Sequence, residues 1–309
     1  MQPVVEGQKK NEKTSKAITL PGLTIFGTSG VSHMEKLIGE IIYSMHDIPN
    51  AEVEVRFGRM VDRDSTVKTF ASDDQRYVPP MPLYSMCAIS DSDKAANRDY
   101  KFAATVSQPA FNLLNRALCA SFTHNSERTQ RKQPTFMSDV RFQHFQERVH
   151  ILPDGTRVML KGDSPIAAFR KEKLRIVDFY CPRHEFDFRI QSAIERPVEL
   201  PDYDVKKSKM RIKNRLSMFI GSCRLDMTLV ENRKWSRKND CFMLQKETFE
   251  VECEYAFDGT AYQGGLQNNM RISAFPGVHF LDRIKSFWQN CEAVLDELSN
   301  FHAQSSAET

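Results

Sequence analysis

Five stretches of this chain alternate charged and apolar residues with a strict period of two, and this pattern constrains the fold more than any other feature. Successive side chains of a β-strand point to opposite faces. In 52–57, Glu52, Glu54 and Arg56 share one face while Val53, Val55 and Phe57 share the other. Glu185, Asp187, Arg189 and Gln191 oppose Phe186, Phe188 and Ile190. Lys209, Arg211, Lys213 and Arg215 oppose Met210, Ile212 and Leu216. Arg224, Asp226 and Thr228 oppose Leu225, Met227 and Leu229, and Glu250, Glu252 and Glu254 oppose Val251, Cys253 and Tyr255. Arg157 with Lys161, and Lys171 with Lys173 and Arg175, follow the same rule.

A sheet with one wet face would explain any one of these strands. Taken together they ask for more. Like charges side by side destabilise a sheet, so three stacked glutamates and four stacked cations call for opposing partners or bound ions. Strand candidates lie at 52–58, 141–152, 156–161, 170–177, 185–195, 209–217, 222–230 and 246–256, with Pro153-Asp154-Gly155 as a hairpin turn between the second and third. Eight strands suffice to close a small barrel. If the ionic faces point inward, the apolar faces point outward and need cover. Helical periodicity at 32–45, 109–121 and 281–301 can supply it, the first helix opening on Ser32 with Glu35 three residues later as a capping box. The expected fold is therefore β-dominated α+β: an eight-stranded antiparallel closed β-barrel buttressed by helices. Residues 60–105 read as loops and short elements, and 123–137 as a polar loop.

The polar 1–28 stretch reads as a flexible tail, 29–303 as one domain and 304–309 as a second tail. Among 309 residues no run of about 18 apolar residues occurs, so no membrane partner is expected. The seven cysteines form no Cys-x-x-Cys, which argues against a disulfide framework or zinc knuckle and for a reducing compartment. There is no phosphate-binding glycine loop; Gly27-Thr28-Ser29-Gly30 is too short and reads as a helix-entry turn. The eight histidines form no ligand cluster. The basic run from Lys206 to Arg215 could be a nucleic-acid patch, but its alternation favours a one-faced strand. The formal charge of +3, from 43 cations and 40 anions, does not identify a partner; the arrangement of the charges does.

Carboxylates at alternate positions of two strands can share a hard divalent cation such as Mg²⁺ or Mn²⁺, which takes oxygen ligands and keeps water or phosphate oxygens. Glu52, Glu54 and Glu254 suit that role if their strands are neighbours. Rows of Arg and Lys suit a polyphosphate. Metal and cations around a terminal phosphate would supply the charge stabilisation that phosphoryl transfer needs, and a spare glutamate could orient water.

These residues resemble the motifs of the triphosphate tunnel metalloenzymes. Glu52-Val-Glu54-Val-Arg56 and Glu250-Val-Glu252-Cys-Glu254 are similar to the family's metal strands. Arg211-Ile-Lys213-Asn-Arg215, Arg224-Leu-Asp226-Met-Thr228 and Asp187-Phe-Arg189-Ile with Glu195 resemble, in the same order, the intervening strands of the fungal and protozoan mRNA-capping RNA 5′-triphosphatases. The resemblance covers about 32–258 and carries no motif at 60–140. It implies hydrolysis of the γ-phosphate of 5′-triphosphate RNA, with free NTPs as further substrates in the presence of manganese. It implies Glu52, Glu54 and Glu254 as metal ligands, Glu252 as a ligand through water, and Glu195 and Glu250 as groups that position the attacking water. Arg157, Lys213 and Arg215 are implied γ-phosphate contacts, and Arg211, Arg224, Asp226 and Thr228 supporting groups. Lys171 and Lys173 compete for one further supporting position. Arg56 stands where many members have Lys. The family also implies mRNA guanylyltransferase as a partner and a nuclear location, or the cytoplasm for a member from a cytoplasmic virus. Fungal members carry a Trp-containing partner segment ahead of the barrel, whereas the tryptophans here are Trp235 and Trp288, which points towards a protozoan or viral member.

Overall fold

The computed structural model describes residues 32–62, 76, 86–91, 100–128, 141–257 and 280–299. The expected tails at 1–28 and 304–309 lie outside them, as does most of the expected loop at 123–137. In chain order the elements are α1 (His33–Met45), β1 (Ala51–Asp62), β2 (Cys87–Asp91), β3 (Tyr100–Ala103), α2 (Gln108–Arg128), β4 (Arg141–Ile151), β5 (Arg157–Lys161), β6 (Ser164–Tyr180), β7 (Asp187–Val198), β8 (Lys209–Ile220), β9 (Cys223–Ser236), β10 (Cys241–Tyr255) and α3 (Phe280–Ser299).

Eight strands run β10-β9-β8-β4-β5-β6-β7-β1, and β10 pairs back onto β1 to close the barrel. Every pairing is antiparallel, as expected where most connections are short hairpins. Closure places Glu54 opposite Glu254 and Arg56 opposite Glu252. Two short strands, within the stretch expected to hold loops and short elements, lie outside the ring: β3 pairs with the end of β1, and β2 with the end of β6.

The barrel is apolar outside and ionic inside. Val53, Val55 and Phe57 of β1, Phe188 and Ile190 of β7, and Val251 and Cys253 of β10 are buried on the outer face. They meet Ile38, Ile41, Ile42 and Met45 of α1, Leu114 of α2, and Phe287, Trp288, Leu295 and Leu298 of α3. Burying each large side chain contributes about 1.5–3 kcal/mol before entropy is subtracted. α1 begins as its sequence directs: Ser32 Oγ accepts from the Glu35 N–H while Glu35 accepts from the Ser32 N–H. The β4–β5 hairpin turns at Pro153-Asp154-Gly155, where Gly155 takes φ +86° and Asp154 accepts from the Thr156 N–H.

β6 departs from simple alternation. Its register shifts between Lys173 and Arg175, where a bulge at Leu174 places Lys173 opposite Ala193 and Arg175 opposite Ser192. Lys171 and Lys173 face the lumen. Arg175 joins the outer face, because an extra residue reverses the side-chain parity that follows it. The expectation that Arg175 shares the face of the two lysines is therefore corrected. Asp178 takes the inward position, opposite Arg189.

Candidate active site

Because side chains paired across a ladder share a face, barrel closure gathers ionic side chains from all eight barrel strands into one lumen. Glu52, Glu54, Arg56, Glu147, Arg157, Lys171, Glu195, Arg211, Lys213, Arg215, Arg224, Glu250, Glu252 and Glu254 all line a cavity of about 390 Å³. Of the site residues expected from the sequence, all line this cavity except Lys173, Asp226 and Thr228. Val149, Ile151, Met159 and Phe169 provide an apolar stretch of wall.

The acidic wall is held by cations. Lys171 Nζ lies 2.5 Å from Glu52 Oε2 and 3.4 Å from Glu54 Oε1, and Gln191 Nε2 donates to the same Glu54 oxygen at 2.8 Å. Of the two competing lysines, Lys171 is therefore the one that touches the acids; Lys173, one pleat along, is exposed. Arg56 Nη2 reaches Glu252 at 2.6 Å and Glu250 at 3.6 Å, and Arg211 donates to Glu250 at 2.7 Å. Arg224 donates to Glu254 and to Asp226. Asp226 is buried and also accepts from Arg215 at 2.9 Å and Ser217 at 2.6 Å, so it fixes two guanidiniums at once.

Contacts to Glu195 and Glu147 are looser. Arg157 lies 3.9 Å from Glu195, and Lys213 and Arg215 lie 3.5 and 3.9 Å from Glu147. The Nε groups of Arg56, Arg211 and Arg215 and the hydroxyl of Thr228 are buried without a protein acceptor. Buried donors in this state suit an anion with several acceptor oxygens.

The carboxylates titrate apart. Burial, followed by the charges of Glu52, Asp226 and Glu54, pushes Glu254 up to about 8 despite Arg224. Burial, followed by Glu52, raises Glu195 to about 7, against Lys171, Arg157 and Lys213. Burial would also raise Glu252, but Arg56, Arg215 and further cations outweigh it and bring the group down to about 2. Glu52 is likewise lowered, Lys171 overcoming the burial effect. Burial disfavours the Lys171 ammonium, yet Glu54 and Glu52 hold it firmly protonated.

The donor chemistry suits a hard divalent cation. Glu54 and Glu254 are cross-strand neighbours, Glu52 influences both raised carboxyls, and an ammonium already sits between Glu52 and Glu54. With Lys171 and Arg224 holding these acids, no three His, Cys, Asp or Glu side chains among the described residues are positioned as a ready metal cage.

Sequence reasoning missed Glu147, and it placed Gln191 on the ionic face without giving it a role. Glu147 shares its face with Phe145 and Val149, so no charge alternation marks it, although it stands opposite Lys213 on β8. Gln191 is the uncharged end of an otherwise ionic row. A second buried network, also unforeseen, closes one end of the β1–β7 seam. Asp187 accepts from Arg76 and from the N–H groups of Met60 and Cys181, and Asp178 accepts from Arg189 and Tyr100.

Residues 29–298 match the model of the family described as mRNA capping enzyme, beta chain. The mRNA-capping enzyme subunit beta of Schizosaccharomyces pombe is 22% identical over 258 residues, which cover 81% of this chain and 78% of that protein. The Cryptococcus neoformans protein of the same name is 30% identical over 142 residues, 46% of this chain and 34% of its own length. The solved S. pombe Pct1 RNA triphosphatase superposes with a TM-score of 0.64 at 17% identity, over 89% of this chain and 97% of that one, and so shares the fold. A family match across the whole barrel and its flanking helices shows that this chain belongs to the mRNA capping enzyme beta-chain family.

Proposed function

We propose that this protein is a metal-dependent polynucleotide 5′-phosphatase that removes the γ-phosphate of 5′-triphosphate RNA, the first step of mRNA capping. The observation that carries this reading is the division of one closed lumen into an acidic wall and a basic wall. Glu52, Glu54 and Glu254 would hold Mg²⁺ or Mn²⁺. When bound, the ion supplies charge neutralisation at the reacting phosphoryl group.

The chain's own residues do the rest. Arg157, Lys213 and Arg215 bind the γ-phosphate: the acid contacts of Arg157 and Lys213 are loose, at 3.9 and 3.5 Å, and Arg215, held by Asp226 through one terminal nitrogen, keeps a buried Nε without a protein acceptor. Arg56, Lys171, Arg211 and Arg224 support the acids, Asp226 fixes Arg215 and Arg224, and Thr228 offers a free hydroxyl beside them. Glu195 and Glu250 orient a water molecule whose oxygen attacks the γ-phosphorus. The bond from that phosphorus to the β–γ bridging oxygen breaks, giving orthophosphate and a 5′-diphosphate end. A carboxyl raised to about 7, as Glu195 is, suits proton acceptance near neutral pH. The diphosphate end is the substrate chemistry of an mRNA guanylyltransferase, the partner this reading implies, and the nucleus is the compartment it fits. Free NTPs enter the same lumen and are hydrolysed with manganese.

A tunnel enzyme acting on inorganic tripolyphosphate or free NTP outside capping would use the same walls. A non-catalytic polyanion binder would gain nothing from acids that repel its ligand. Turnover of triphosphate-ended RNA, NTP and tripolyphosphate separates these readings. RNA labelled at the β-phosphate should keep its label while orthophosphate appears; loss of pyrophosphate, or preference for tripolyphosphate over RNA, would contradict the proposal.

A further inference from the structure

The basic row of β8 does not end inside the barrel. Lys209 lies on the same face as Arg211, Lys213 and Arg215, about 13 Å along the strand from Lys213 at the usual rise per residue. It stands directly opposite Lys234 of β9, and on the next rung Arg211 stands opposite Asn232, which in turn pairs with Lys246 of β10. Lys209, Lys234 and Lys246 are exposed, whereas Arg211 lines the cavity. One face of the β8–β9–β10 sheet therefore carries cations from the lumen out to the surface.

This arrangement is costly unless it serves a ligand, because like charges directly opposite each other destabilise a ladder. Three neighbouring cations are paired with acids. Lys206 pairs with Asp240, Lys207 with Asp204 and Arg233 with Glu231. Among the described residues Lys209 and Lys234 have no carboxylate partner. Met243, also exposed, stands opposite Lys234 on the same face and adds an apolar surface beside the pair.

We infer that Lys209 and Lys234 form a track for the ribose-phosphate backbone of single-stranded RNA whose 5′-triphosphate end lies in the lumen. The track binds polynucleotide and is not used by a free nucleotide. Resting on the RNA triphosphatase reading, it adds to that reading the site that separates RNA from NTP.

The test uses the full chain with Lys209→Ala and Lys234→Ala together, and an Arg170→Ala, Arg196→Ala double variant as an equal charge change on paired exterior residues. Binding of a 5′-hydroxyl RNA about 15 nucleotides long is followed by fluorescence anisotropy across salt, which needs neither triphosphate nor catalysis. A single-stranded phosphate contact contributes about 0.7 to the log–log salt slope, so losing two lowers the slope by about 1.4. Between about 50 and 200 mM salt the wild type should then lose about sevenfold more affinity than the lysine variant. In turnover, KM for triphosphate-ended RNA should rise while NTP hydrolysis stays at the wild-type rate. The control pair should match the wild type. An unchanged salt slope in the lysine variant, or an equal loss on RNA and NTP, overturns the track. Failure of the wild type to release phosphate from RNA overturns the functional reading instead, and the 5′-hydroxyl binding result stands apart from it.

Discussion

Lys171 and Glu254 show the two ways in which this lumen handles buried charge. Lys171 sits between Glu52 and Glu54 and is itself largely buried, so removing it leaves two carboxylates without their nearest cation. Lys171→Met should lower the stability of the metal-free protein by about 3 kcal/mol, the usual loss for one partner of a buried ion pair. Added Mn²⁺ should recover part of that loss in denaturant titrations; equal deficits with and without the ion would contradict the shared role of these acids. Glu254 instead remains protonated up to about 8, well above its ordinary 4.5. Between those values the unfolded chain has released the proton and the folded chain still holds it, so stability falls as pH rises. The metal-free protein should therefore melt at a lower temperature at pH 8 than at pH 5, and Glu254→Gln should flatten the decline. Mn²⁺ should stabilise most at the alkaline end. Legibility at this scale followed periodicity. Rows such as Glu250-Glu252-Glu254 announce their face, whereas Glu147 could be placed only by its pairing with Lys213.

At the level of elements, three helices and most of the eight strands could be read from a period of 3.6 or two, and the strand at 141–152 from the hairpin turn that follows it. β2 and β3 could not, being short and lacking an alternating charged face. Nor could the bulge at Leu174, since nothing in Lys171-Glu-Lys-Leu-Arg175 distinguishes a straight strand from a kinked one until β7 supplies the register. Gly58 marks another contact invisible in the sequence. A Cβ there would lie 2.1 Å from the Ala103 carbonyl oxygen, so β3 must shift to admit one. Gly58→Ala should cost about 1–3 kcal/mol, the usual range for overpacking, as read by urea unfolding. The α1 cap is local and legible. Ser32→Ala should cost about 1 kcal/mol in the same assay, with Ser32→Asp close to wild type.

For the whole molecule, the near balance of 43 cations and 40 anions conceals a spatial division. Closing the barrel turns charge inward and apolar surface outward, and the three helices then cover that surface. The acids and bases cancel in the sum, although the acids of the lumen concentrate on β1 and β10 and most of its cations on β5, β6, β8 and β9. The central claim is that these walls act together on the terminal phosphate of RNA. Its most direct test is release of labelled γ-phosphate from triphosphate-ended RNA, with Mg²⁺ or Mn²⁺ and with chelator, by the wild type and by Glu54→Gln, each checked for native circular dichroism. Metal-dependent release by the wild type and a loss of at least about a hundredfold in the folded variant are expected. Equal release by the two proteins, or release undiminished by chelator, would contradict it.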